Sequence, residues 1–95
     1  MDEHILKHED VEINLKRYEV KKNGKFVDMA YAEFSVLVML IENKDKVVSR
    51  KEILTKIWDI DDNSSMRIVD VVISRLRKKG FENLIKTRRK VGYYV

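Results

Sequence analysis

The apolar residues of this chain change their spacing near Tyr31, and that change limits the folds open to it. Upstream, Val11, Ile13 and Leu15 alternate with Glu12 and Asn14, the two-residue period of a half-buried strand. Residues 18–22 then run into Asn23-Gly24. That dipeptide is a strong hairpin signal, because both central turn positions need positive φ. Residues 25–29 are the return strand, and Ile5 with Leu6 adds a short edge strand. Downstream, Phe34, Leu37, Val38, Leu40 and Ile41 fall on one helical face, so residues 31–43 are expected to form an amphipathic helix.

The same logic divides the rest of the chain. Val47-Val48 is a brief extended link, expected as nothing more. Ser49 and Glu52 have the S-x-x-E spacing of a capping box, which starts a second helix reaching about Trp58, with Ile53, Leu54, Ile57 and Trp58 turned to the core. Residues 59–65 form a polar loop, acidic in its first half. A third helix is expected from about 65 to 79, stopped by Gly80. Residues 84–87 and 91–95 are β-prone and flank Arg88-Arg89-Lys90, a hairpin with a basic tip, with Gly92 giving backbone freedom near the bend. Of Tyr93 and Tyr94, alternation predicts one in the core and one exposed. The whole is an α+β order of sheet, three helices and hairpin, and 95 residues suffice for a single domain over 1–95.

Charge is unevenly placed. Residues 1–66 hold 11 Lys/Arg against 14 Asp/Glu, whereas residues 67–95 hold 9 against 2. The third helix concentrates this difference. At about 100° per residue, Val69, Val72, Ile73 and Leu76 share one side. Arg67, Val71, Ser74, Arg75 and Lys78 share the other, with Arg77 at its margin. Asp70 at the edge is expected to pair locally with Arg67 or Ser74. A basic face of small side chains suits the major groove of duplex DNA. A basic hairpin beside it could reach the minor groove. Cations suiting a helix C-terminus would account for some of the positive charge near Lys79, but not for the second cluster at 88–90.

Other chemistries find little support. The chain has no cysteine, which excludes disulfides and thiolate chemistry. The longest apolar run, Val36 to Ile41, is six residues, far below a membrane span. An intracellular, cytoplasmic protein without membrane attachment is therefore expected. His4 and His8 lack the companions of a metal site. Ser49 is a helix cap, not a nucleophile. No catalytic residue, metal or cofactor is expected.

In four stretches the sequence resembles the DNA-binding effector domain of OmpR/PhoB-type response regulators. They are Glu33-Phe34; Val47-Val48-Ser49-Arg50 with Glu52, Leu54 and Trp58; Arg67-Ile68-Val69-Asp70-Val71 through Ile73-Ser74-Arg75-Leu76-Arg77-Lys78-Lys79; and Ile85-Lys86-Thr87 with Val91-Gly92-Tyr93. The resemblance implies a winged helix-turn-helix, with an N-terminal four-stranded sheet, three helices and a C-terminal hairpin wing. It implies sequence-specific binding of double-stranded DNA for transcription regulation, as the output domain of a two-component system. Positions matching the family's DNA contacts are Arg67, Val71, Ser74, Arg75 and Arg77 on the helix, and Thr87 and Arg89 in the wing. Lys78, Arg88 and Lys90 join them on charge alone. The loop 59–65 matches a segment through which some members touch RNA polymerase; a solvated connector is the equal alternative.

The departures from the pattern also carry expectations. Ala30 stands where a threonine cap is usual, so that cap is lost, and Tyr31 replaces a common proline. Val72 stands where histidine is frequent, and Ser74 where a longer polar residue is. In the wing, Lys90 follows Arg89 where the family has glycine. The receiver domain that normally precedes this unit is absent from these residues, so the isolated domain is expected to be monomeric and to occupy repeated half-sites. A winged-helix module that docks a protein is the competing reading. It would need exposed apolar anchors, and on the helix face only Val71 qualifies. An RNA reader would need aromatic stacking platforms, absent from helix face and wing tip.

Overall fold

The computed structural model describes residues 4–95. Its first layer is an antiparallel sheet in sequence order: β1 (Ile5–His8), β2 (Val11–Asn14), β3 (Glu19–Lys22) and β4 (Lys25–Val27). Alternation sends Val11, Ile13 and Val20 into the core. Asn23 and Gly24 have φ of 54° and 79°, so the turn takes the doubly positive conformation that the dipeptide favours. Between β2 and β3, the Asn14 side-chain oxygen accepts the N–H groups of Lys16 and Arg17, each at 3.0 Å.

Helix α1 (Tyr31–Glu42) follows the sheet and is more enclosed than one apolar stripe predicts. Val36 is fully buried along with Phe34, Leu37, Leu40 and Ile41, whereas Val38 is half-buried. The helix packs against the sheet, the third helix and the C-terminal hairpin together. Its N-terminus keeps half of a capping box. Ala30 has no side-chain oxygen to offer, but the Glu33 carboxylate accepts the Ala30 N–H at 3.0 Å.

Ser49 opens the second helix with the full box. Its hydroxyl accepts the Glu52 N–H at 3.0 Å, and Glu52 accepts the Ser49 N–H at 2.8 Å. Helix α2 (Arg50–Ile53) runs directly into a wider π-type turn, Leu54–Trp58, ended by Asp59 in the left-handed region. Ile53 and Leu54 are fully buried, while Ile57 and Trp58 are half-buried against the core. A 3₁₀ turn, Asn63–Ser65, precedes α3 (Arg67–Leu76), which starts two residues later than its sequence suggested. Its backbone widens into a second π-type turn, Arg77–Phe81, where Gly80 reverses the chain at φ 109°.

The C-terminal hairpin, β6 (Lys86–Arg88) and β7 (Gly92–Tyr94), has a third strand that the sequence presented only as a link. Strand β5 (Val48–Ser49) pairs with β7, Val48 opposite Tyr93 and Ser49 opposite Gly92. The order β5-β7-β6 stitches the hairpin onto the entry to α2. This explains Gly92, and not as a bend residue. A Cβ there would sit 2.0 Å from the Val48 carbonyl oxygen, so glycine is what lets the two strands close. The bend falls on Lys90, at φ 67°, in a turn closed by the Val91 N–H on the Arg88 carbonyl at 2.9 Å.

Candidate nucleic-acid interface

Helix α3 separates its residues as its periodicity demands. Val69, Val72, Ile73 and Leu76 are buried, which fixes the helix against the core. Arg67, Val71, Ser74, Arg75 and Lys78 are all exposed on the far side, and Val71 leaves 43% of its surface in solvent. Lys86, Arg88, Arg89 and Lys90 are exposed on the hairpin that follows. Among the described residues, Arg67, Arg75, Lys78, Lys86, Arg89 and Lys90 make no side-chain hydrogen bond or ion pair, although the charge of Arg75 acts on Glu33 from farther off. A surface of cations so unsatisfied is poised for a polyanion.

Arg77 and Thr87 are adjacent but committed to one another. Arg77 donates from Nε and Nη2 to the Ile85 carbonyl at 3.2 and 2.9 Å, and from Nη2 to the Thr87 hydroxyl at 2.8 Å. Its guanidinium lies 5.6 Å from the centre of the Tyr93 ring. The end of α3 and the root of the wing are thus one hydrogen-bonded unit. Strand alternation then sends the next residue the other way: Arg88 sits over the Tyr94 ring, 5.5 Å from its centre. Arg88 and Arg89 therefore do not form one undivided basic tip. Arg88 is stacked on the outer face, and Arg89 is free in the turn.

The acid at the edge of the basic face has partners other than those its neighbourhood suggested. Asp70 pairs with neither Arg67 nor Ser74. It accepts the Tyr93 hydroxyl at 2.6 Å and faces Arg50 Nε at 3.5 Å. One carboxylate thus joins α2, α3 and the wing. Burial first, then the hydrogen bond to Asp70 and its negative charge, push the Tyr93 hydroxyl up to about 12, with Arg50 and Arg77 opposing. Tyr93 is buried, as one of the two was expected to be, whereas Tyr94 is half-buried rather than exposed.

The loop 59–65 is built locally. Asp62 accepts the Ser64 N–H at 3.0 Å, and that contact with the Ser64 hydroxyl holds its carboxyl below the usual range. Asp61 pairs with Lys51 at 2.8 Å. Elsewhere, His8 faces Glu9 at 3.7 Å. Among the described residues, no three His, Cys, Asp or Glu side chains converge as metal ligands, and no helix is long and apolar enough to cross a membrane.

A sheet, a helix-turn-helix with a basic outer face, and a hairpin fastened beside it define a winged helix-turn-helix domain. Residues 24–95 match the family model described as "Transcriptional regulatory protein, C terminal", and the chain belongs to that family. It is 35% identical over 95 residues to the uncharacterized transcriptional regulatory protein YkoG of Bacillus subtilis, covering 96% of this chain and 42% of that relative. Among solved structures, it resembles response regulator DrrB of Thermotoga maritima, an OmpR/PhoB homologue, at 33% identity and a TM-score of 0.83, covering 96% of this chain and 43% of that one. It also resembles the RstA DNA-binding domain of Klebsiella pneumoniae bound to its RstA box, at 29% identity and a TM-score of 0.87, covering 95% and 94%. The domain is thus of the OmpR/PhoB DNA-binding type. The chain spans about two fifths of the length of the curated relatives it matches.

Sequence reasoning missed the Asp70 and Arg77 partners because Arg50, Tyr93 and Ile85 lie 8 to 23 residues away along the chain. The unusual acid on a basic face was the available signal that something distant neutralises it.

Proposed function

We propose that this chain binds duplex DNA sequence-specifically, as the output module of a cytoplasmic response regulator, with α3 in the major groove and the wing in the minor groove. The observation that carries it is the partnerless set Arg67, Arg75 and Lys78 on the face of α3 opposite its buried stripe, beside Arg89 and Lys90 of the wing. The helix fits the width of the major groove. Arg75 and Arg67 have the donors to grip guanine edges or phosphate, and Ser74 can bond to either. Val71 offers a methyl surface to thymine. Arg77 and Thr87 act as a joined pair, meeting the backbone where helix and wing converge. Arg88 and Lys90 contribute charge, and Arg89 is placed to enter the minor groove, where its negative potential attracts arginine.

Residues 1–95 form one binding unit in this reading and perform no catalysis. The unit is monomeric alone and is recruited in copies by repeated half-sites. The loop 59–65 offers exposed Asp59, Asp61 and Asp62 as a surface for RNA polymerase. The test begins with a duplex selected from a random pool at graded salt. Arg75→Ala then loses about 1–3 kcal/mol on that duplex and relaxes preference at one base pair. Equal losses on selected and shuffled duplexes reassign Arg75 to phosphate, and no loss on either overturns the assignment of this face.

A further inference from the structure

Lys78 and Lys79 are neighbours in the basic run that closes α3, and the fold sends them opposite ways. Lys78 is exposed, with no internal partner among the described residues. Lys79 reaches back across the molecule. Its Nζ donates to the Asp28 carbonyl at 2.7 Å and to Glu33 Oε1 at 2.7 Å, partners 51 and 46 residues upstream. Asp28 lies between β4 and α1, and Glu33 is the third residue of α1.

Glu33 is the one charged residue buried in the core among the described residues, with 4% of its surface exposed. Burial raises the pKa of its carboxyl. The hydrogen bonds from Lys79 and Ala30, with the charges of Lys79 and Arg75, outweigh that and hold it below the usual range. The oxygen that receives Lys79 also accepts the Ala30 N–H. One carboxylate therefore closes the start of α1 and anchors the end of α3. Gly80 follows at once and reverses the chain, so Lys79 is the last side chain before the turn.

The apolar stripe of α3 is held by a non-directional force, whereas a charge-assisted hydrogen bond has a direction and a length. Arg67 and Lys79 are separated by roughly 18 Å of helix, so a tilt of about 5° at one end moves the other by about 1.5 Å. Base readout does not survive such a displacement.

We propose that the Lys79–Glu33 pair is a positioning device for base readout. It sets the angle at which α3 leaves the core, so that Arg67, Val71, Ser74 and Arg75 meet base edges in register, and Lys79 itself neutralises no phosphate. This rests on the DNA-binding reading above. The experiment measures Kd against salt for the 95-residue chain on the selected duplex and on a shuffled duplex of equal length. The variants are Lys79→Met, Glu33→Gln, their combination, and Lys78→Ala. Glu33→Gln retains an acceptor for Ala30, and thermal melts fix the folded fraction of each variant.

Lys79→Met and Glu33→Gln each lose about tenfold on the selected duplex and little on the shuffled one. Their salt slopes equal that of the unaltered chain, and the combination is no worse than the weaker single variant. Lys78→Ala makes the slope shallower by about 0.9 on both duplexes. A similar change of slope in Lys79→Met overturns the proposal, because it makes Lys79 a phosphate contact. So does an equal loss on both duplexes, which marks a stability effect, and so does unchanged selectivity. An unaltered chain that selects no duplex overturns the DNA reading, and the proposal with it.

Discussion

Helix α3 and the wing carry comparable positive charge, but they are held in different ways. Helix α3 is fixed by Val69, Val72, Ile73 and Leu76, each buried in the core. Burial of that kind stabilises by about 1.5–3 kcal/mol per side chain. The wing buries only Gly92 and Tyr93, and every residue of β6 is exposed. It is held by the short pairing to β5, by Arg77 on Ile85 and Thr87, and by Tyr93 on Asp70. The packed stripe seats the helix, and the Lys79–Glu33 tie at its end restrains its angle, which suits the reading of bases. A few polar ties over an exposed hairpin leave room for adjustment, which suits contact with a backbone whose shape varies with sequence.

The comparison breaks most severely at Gly92. Gly92→Ala places a methyl group on the Val48 carbonyl, so β5 and β7 must separate. The expected cost is about 3 kcal/mol or more, from overpacking against backbone that cannot yield. Urea unfolding followed by circular dichroism measures it. If the wing is the separable part, the α3 helical signal survives at concentrations where hydrogen exchange at the Tyr93 amide already reports release of the hairpin.

Tyr93→Phe is the sharper cut, since it removes one hydroxyl and keeps the ring. The loss is about 1.5 kcal/mol, the low end for a hydrogen bond to a charged acceptor, because Asp70 retains Arg50. The pH dependence has a definite sign. The folded value of about 12 lies above the ordinary 10.0, so the hydroxyl contributes fully below pH 10.0 and its contribution fades as pH rises toward 12. The unaltered chain should therefore lose stability across that window faster than Tyr93→Phe. Parallel urea midpoints in both proteins would show that Tyr93 is not tied to Asp70 in solution.

The smallest effect has opposite signs for fold and binding. Lys90 occupies a left-handed turn position where a lysine costs about 1 kcal/mol more than glycine. Lys90→Gly should raise the melting free energy by up to about that amount, less the added freedom of glycine in the unfolded chain. It should also make the salt slope of DNA binding shallower by about 0.9. A variant that gains neither stability nor a shallower slope would show that Lys90 is neither strained nor in contact with phosphate.

Much of this was legible along the chain because the governing contacts are local. The alternation of Val11 and Ile13, the Asn23-Gly24 turn, the Ser49–Glu52 box and the two faces of α3 all depend on residues within a few positions of one another. What was illegible depends on distant meetings. Nothing near Val48 announces that it pairs with Tyr93, and so Gly92 was assigned to a bend. Nothing near Asp70 points to Arg50 or Tyr93, and nothing near Lys79 points to Glu33. The candidate surface was legible as a set of exposed cations. Which of them are free, and which brace the others, required the tertiary arrangement.

The partnerless cations of α3 and the wing have a consequence for the empty domain. Arg67, Arg75, Lys78, Lys86, Arg89 and Lys90 crowd like charge into the last third of the chain, and each adds to a self-repulsion that the folded state endures and the unfolded chain largely escapes. Salt then acts twice, in opposite directions. It screens the repulsion and firms the free domain, while it weakens the grip on a polyanion by making counterion release less favourable. Nucleic acid does for this fold what high salt does, with the difference that it also occupies the surface. The melting temperature of the free chain should climb with ionic strength under the same conditions in which its complex dissolves.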